Sequence, residues 1–234
     1  MKTIYMVDGG KGGVGKSMVC AALLDMLLMQ QPAQAEGKPK GVFLVETDTS
    51  NPDVWKMYRD EVETTLIDLD DANGWIDLVN TCDAHPEAVV VVNGAARNNK
   101  GVETYSGTLS NTLDELKRNL VTLWVINRQR DSLELLKAYR ESLSGSTIHV
   151  VRNLHWGAEK QYELYNESKL RIAIEESGGY SLNFPDLADR VADDLYSRRL
   201  SISAALKELP IGNRAELTRW RGEVHKMFGE VLNV

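Results

Sequence analysis

Apolar residues along this chain fall into short runs separated by stretches of helical periodicity. Residues 4–7 form a brief apolar run ended by Asp8 and two glycines, and residues 17–30 (SMVCAALLDMLLMQ) follow as an apolar helix. Polar residues 31–40, with two prolines and a glycine, predict a surface connection into a second strand over 41–45 that ends at acidic residues. The run 88–92 (AVVVV) is uninterrupted by polar positions, as expected for a strand buried on both faces of a parallel sheet. A third run over 120–126 follows a helical stretch at 108–118. A fourth over 147–151 follows a helix-like 132–143, with Leu133, Leu135, Leu136 and Leu143 on its apolar stripe. Strands alternating with helices predict an α/β fold of three layers, a mainly parallel central sheet flanked by helices. We expect one domain over 1–234 with a mostly helical last third, broken at Pro185 and Pro210 and closed by a helix over 213–232. The polar segment 93–110 follows a buried strand, where such folds place ligand-contacting loops, and is expected to be mobile without ligand.

Composition narrows the classes. The chain has 234 residues, 43% hydrophobic and 26% charged, which is ordinary globular composition. A formal charge of −7 argues against a surface coated in basic groups for nucleic acid. Residues 198–221 nevertheless carry six basic residues (Arg198, Arg199, Lys207, Arg214, Arg219, Arg221) against Glu208 and Glu216, a local net of +4. That segment reads either as a patch for non-specific DNA binding or as a solvated helical face. Cys20 and Cys82 are far apart and lack metal-ligand spacing. The opening apolar run is too short for a signal peptide, and no later run approaches the length of a membrane span, so a soluble cytoplasmic protein is expected.

The chemistry is concentrated in residues 10–17. Gly10-Lys11-Gly12-Gly13-Val14-Gly15-Lys16-Ser17 matches G-x-x-x-x-G-K-[ST] and lies between a strand and a helix, the context this phosphate-binding pattern needs. The glycines let backbone N–H groups turn toward an anion, Lys16 reaches β- and γ-phosphates, and the Ser17 hydroxyl can ligate Mg²⁺. ATP with Mg²⁺ is the expected ligand.

Lys11 inside this loop makes it similar to the deviant Walker A box of the ParA/MinD family of P-loop ATPases. The resemblance implies a P-loop NTPase fold, and a Lys11 that crosses a dimer interface to the partner's nucleotide, linking ATP binding to homodimer formation. Without a partner, Lys11 reads as a solvated loop lysine. Family members carry Asp-x-Asp after the second strand; here Glu46-Thr47-Asp48 stands there. Asp48 is thus the candidate for orienting water or metal-bound water, or else a cap for a helix over 53–58. The aspartate usual at the end of the third family strand is replaced by Asn93, a neutral amide, so hydrolysis is expected to be weak or absent. Asn153 stands where the family has an adenine-reading asparagine, and is equally a turn former. Residues 184–187 (FPDL) are similar to the family's proline loop near the base.

Within the family the pattern looks like the plasmid stability and mobilisation branch. An ATP-dependent dimerisation switch acting on plasmid DNA or a partner protein is the leading reading. A nucleotide-binding partner without turnover and a dethiobiotin synthetase-like enzyme are the alternatives. The terminal 224–232 has too little charge for the basic membrane helix of MinD-like members, and two distant cysteines cannot supply the cluster ligands of the related nitrogenase iron protein.

Overall fold

The computed structural model describes residues 1–31, 37–96, 99–143 and 145–232. In chain order the elements are β1 (Lys2–Asp8), α1 (Lys16–Met29), β2 (Val42–Glu46), α2 (Asp53–Tyr58), β3 (Glu63–Leu66), α3 (Ala72–Ala84), β4 (Val89–Asn93), α4 (Asn99–Tyr105), α5 (Gly107–Ser110) and α6 (Leu113–Leu116). There follow β5 (Arg118–Ile126), α7 (Arg130–Ser142), β6 (Ser146–Asn153), α8 (Glu163–Asn166), α9 (Lys169–Glu176), β7 (Ser181–Phe184), α10 (Asp189–Arg198), α11 (Ile202–Glu208) and α12 (Ile211–Gly229).

The seven strands form one parallel sheet in the order β3-β2-β4-β1-β5-β6-β7. Because strand side chains alternate between faces, each central strand feeds two cores. Tyr5, Val7, Leu44, Val91, Val125 and Val151 pack on one side with α1, α2, α10, α11 and α12. Ile4, Met6, Val45, Val90, Trp124 and Val150 pack on the other with α3, α4, α5 and α7. These are the three layers expected from the alternation of strands and helices.

Several boundaries differ from the sequence-based expectation, for physical reasons. The segment 93–110 is not a bare loop: α4 and α5 occupy much of it, because Val102 and Leu109 are buried in the second core. Residues 97 and 98, like 32–36 of the polar connection, lie outside the described residues. The helical stretch expected over 108–118 breaks up, since Lys117 turns left-handed (φ 53°) and Arg118 already belongs to β5. The last third also contains a strand: β7 alternates half-buried and buried positions and pairs with β6. Among the described residues no helix is long and apolar enough to cross a membrane.

The basic segment 198–221 is partly neutralised by its neighbours. Arg198 pairs with Glu208, and Arg219 with Glu216 and Glu223. Arg221 forms two bonds, of 2.6 and 2.8 Å, to the buried carboxylate of Asp25 in α1, which His225 also contacts at 2.9 Å. This cluster fastens α12 to the helix that follows the glycine loop.

His149 on β6 gives the fold an acid-sensitive point. It is 4% exposed, and its Nδ1 accepts the Tyr180 N–H at 3.1 Å, which requires that nitrogen unprotonated. Burial pulls its pKa down to about 4. The unfolded chain therefore takes up the proton first, and the stabilisation, present above an ordinary histidine pKa of about 6.5, is lost as pH falls toward 4. In urea unfolding of wild type and His149→Gln, the wild type should lose on the order of 2 kcal/mol relative to the variant between pH 7 and 4.5. A difference that does not change with pH would contradict this assignment.

Candidate functional site

β1 lies at the centre of the sheet, with β4 on one side and β5 on the other, and the glycine loop leaves its carboxyl end. In parallel sheets that crevice is where ligands bind. Gly10, Gly13 and Gly15 have φ of 60°, 76° and 105°, conformations that strain residues with a Cβ. Asp8, 2% exposed, accepts the N–H groups of Gly9 at 2.6 Å and Gly10 at 3.0 Å and so shapes the loop entrance. At the exit, Asn153 Nδ2 donates to the Val14 carbonyl at 2.8 Å; a Cβ on Gly15 would stand 2.3 Å from that nitrogen. The loop is thus clamped at both ends.

α1 starts at Lys16 with no side-chain cap and no acid in its first turn, leaving its positive end facing the crevice. The Lys16 ammonium donates to the Lys11 carbonyl at 2.7 Å. Burial lowers its pKa, against the opposing pull of Asp8, Asp48 and Glu46.

Two cavities meet at Gly13, Gly15 and Tyr196. The first, about 320 Å³, is polar and lined by Lys16, Ser17, Asp48, Asn93 and Gly94 with the loop glycines. The second, about 180 Å³, is walled by Asn153, Trp156, Phe184, Pro185 and Trp220. Larger hollows of about 720 Å³ beside Leu28 and Lys207, and about 630 Å³ around Tyr5 and His149, do not adjoin the loop.

The expected site residues gather here, with altered detail. Asp48 lines the polar cavity while its Oδ1 accepts the Asn51 N–H at 3.0 Å. It fixes that turn and does not cap α2, whose N-cap is Pro52 with no side-chain bond. Glu46 is fully buried and is not part of the polar cavity's lining. Its carboxylate accepts from Asn93 Nδ2 at 2.9 Å, the Asp48 N–H at 3.1 Å and the Trp55 N–H at 3.4 Å. Burial pushes the Glu46 carboxyl up to about 7. Asn153, besides clamping Val14, accepts the His155 N–H at 3.2 Å, so its amide both holds the loop and walls the apolar cavity. Lys11 lies in its own subunit against the side chains of Gln129 and Asp131. That contact holds the Asp131 carboxyl below the ordinary aspartate range.

Asp8, Gln129, Asp131, Trp156 and Tyr196 escaped sequence reasoning. Asp8 was within reach of it as the acid that immediately precedes the loop. The other four come from loops and helices far along the chain that only folding brings to the crevice.

The donors present fit a hydrated magnesium ion. Asn93 Oδ1 is buried without a hydrogen-bond partner, and Asn93 lines the cavity together with Ser17 and Asp48. These are hard oxygen donors, the kind Mg²⁺ takes while keeping waters and sharing phosphate oxygens. Among the described residues no group of three His, Cys, Asp or Glu side chains could hold a metal by itself.

No protein-family model matches the chain. A solved structure, the nucleotide-binding protein in complex with ADP from Archaeoglobus fulgidus, superposes with a TM-score of 0.48 at 14% identity, covering 89% of this chain and 92% of that one. That likeness is too remote to carry a site or a ligand across. Protein MobD of Acidithiobacillus ferrooxidans is 61% identical over 232 residues, 99% of each chain. Identity of that level along the whole length makes this chain a member of the MobD family.

Proposed function

We propose that this chain binds ATP with Mg²⁺ at the glycine loop and uses it to assemble a homodimer, with slow hydrolysis resetting the switch. The observation that carries this reading is the pair of cavities that share Gly13, Gly15 and Tyr196 as walls. One is lined by a lysine, a hydroxyl and turned glycines at a helix N-terminus, suited to phosphates. The other is mainly aromatic and apolar, with Asn153, His155 and Asp186 as its polar groups, suited to a base.

In this reading Gly12, Gly13, Gly15 and Lys16 cradle the phosphates, and Ser17 and Asp48 hold the metal, directly or through its waters. A magnesium ion held by these residues would supply positive charge to offset that of the phosphates. Asp48 orients the attacking water. Asn93 adds no negative charge, which keeps turnover slow. Trp156 and the 184–187 turn flank the base, with Asn153 at its edge.

The ParA/MinD character rests on Lys11. In the isolated chain Asp131 and Gln129 hold its ammonium, so reaching a partner's phosphates requires leaving them; assembly then exchanges one anion for a stronger one. Arg198, Arg219 and Arg221 are already paired, which favours a protein over DNA as the reader of the dimer state. Among partition, stability and conjugative mobilisation, the relative's name, MobD, favours mobilisation.

Sedimentation without nucleotide, with ADP and with ATP, alongside phosphate release, tests the switch. ATP should yield dimers and release should be slow; a monomer in all three states would sink it, and persistent dimers without release would favour a binding protein without turnover. Lys16→Ala should abolish nucleotide binding, whereas Lys11→Ala should keep binding and weaken dimers. Equal loss of binding in both would place Lys11 on its own subunit's nucleotide. Asp131→Ala should lower the ATP concentration at which dimers form, and an unchanged midpoint would mean that Asp131 does not compete for Lys11.

A further inference from the structure

We propose that Glu46 and Asn93 act as one unit in place of a strand-end carboxylate, Glu46 being a positioning residue that turns the Asn93 amide oxygen toward a water on the cation beside Ser17. The inference rests on the nucleotide reading above and deepens it.

The two residues are register partners at the carboxyl ends of β2 and β4, and both are buried. Both Glu46 carboxyl oxygens accept hydrogen bonds, Oε1 from the Asp48 N–H and Oε2 from the Trp55 N–H, and the amide nitrogen of Asn93 donates to Oε1 at 2.9 Å. The amide oxygen then points the other way. The strand end is locked as well: the Thr47 hydroxyl donates to the Asn93 carbonyl at 2.8 Å and accepts the Ala95 N–H at 2.8 Å. Glu46 is itself engaged by the backbone N–H groups of Asp48 and Trp55, so its carboxylate is held behind Asn93 and kept off the cavity.

What remains is Asn93 Oδ1, a buried acceptor without a partner in a cavity that Ser17 and Asp48 also line. Orphaned buried acceptors are rare in folded proteins and call for a donor. A water on a divalent cation is a strong donor, and a carboxylate hydrogen-bonded to the far side of an amide polarises its oxygen toward accepting. The negative charge usual at this strand end is thus displaced one strand over and relayed through a neutral group.

The test uses the full chain with Mn²⁺ as probe, its free concentration read by electron paramagnetic resonance in the presence of ADP. Affinity for a fluorescent ADP is measured separately in EDTA. Glu46→Gln lets the amide pair flip, Asn93→Ala removes the acceptor, and the double variant Glu46→Gln/Asn93→Asp moves the single charge across the pair. We expect Mn²⁺ affinity to fall about tenfold in each single variant, as when an outer partner of a metal site is removed, and to recover to within about threefold in the double variant. Nucleotide affinity in EDTA should stay within about twofold of wild type throughout, since no phosphate contact is touched. Wild-type Mn²⁺ affinity in Glu46→Gln would overturn the proposal, as would an equal loss of EDTA-measured binding, which signals a merely structural role. Asn93→Ser replaces Asn93→Ala should the latter fail to fold, with the same tenfold fall expected to within about a factor of three. A wild type that binds no nucleotide even in EDTA would instead remove the nucleotide reading, and this proposal with it.

Discussion

The structure is organised around a concentration of positive charge at the carboxyl end of its central strand. Lys16, nearly buried, and the uncapped start of α1 sit together where β1 gives way to the glycine loop. A buried ammonium is costly unless anions surround it, and here three carboxylates do so at different distances from solvent. Asp8 bonds the N–H groups of Gly9 and Gly10, Glu46 is fully buried against Asn93, and Asp48 lines the polar cavity. Each arrives at the end of a strand or just after it, so the parallel sheet sets the spacing. The parts that look peripheral serve the same end. Asn153 reaches from β6 to hold Val14, and the Asp25–Arg221–His225 cluster pins α12 against α1.

The second consequence is the polarity boundary across Gly13, Gly15 and Tyr196. On one side the walls are charged and hydroxylic, on the other mainly aromatic and apolar. A nucleoside triphosphate has the same division along its length. The two walls come from opposite sides of the sheet order: β2 and β4 ends for the polar side, β6 and β7 ends for the apolar side. Tyr196 on α10 stands over the junction and belongs to both.

Much of this was legible in the sequence because the signals were local. The glycine loop, its flanking strand and helix, and the valine run of β4 are each a few consecutive residues with one physical meaning. What escaped was non-local or weakly patterned. β3 (ETTL) and β7 (SLNF) are short edge strands whose partly exposed residues need no apolar run. α3 carries Trp75, Leu78 and Cys82 at helical spacing behind an Asp71 cap, a signal present but diluted by polar neighbours. The pairing of Glu46 with Asn93 depends on the register of β2 against β4, which no spacing along the chain expresses. Similarly, the pairing that partly offsets the basic look of 198–221 brings Asp25, nearly two hundred residues away, to Arg221.

The central claim is that one nucleotide lies across both cavities. Amide hydrogen exchange with and without ATP and Mg²⁺ tests it most directly, because the loop's own N–H groups are the predicted contacts. The account predicts slowed exchange at 10–18, 153–156 and 184–187. No slowing in the loop, or slowing only at the hollow beside Leu28 and Lys207, would contradict it.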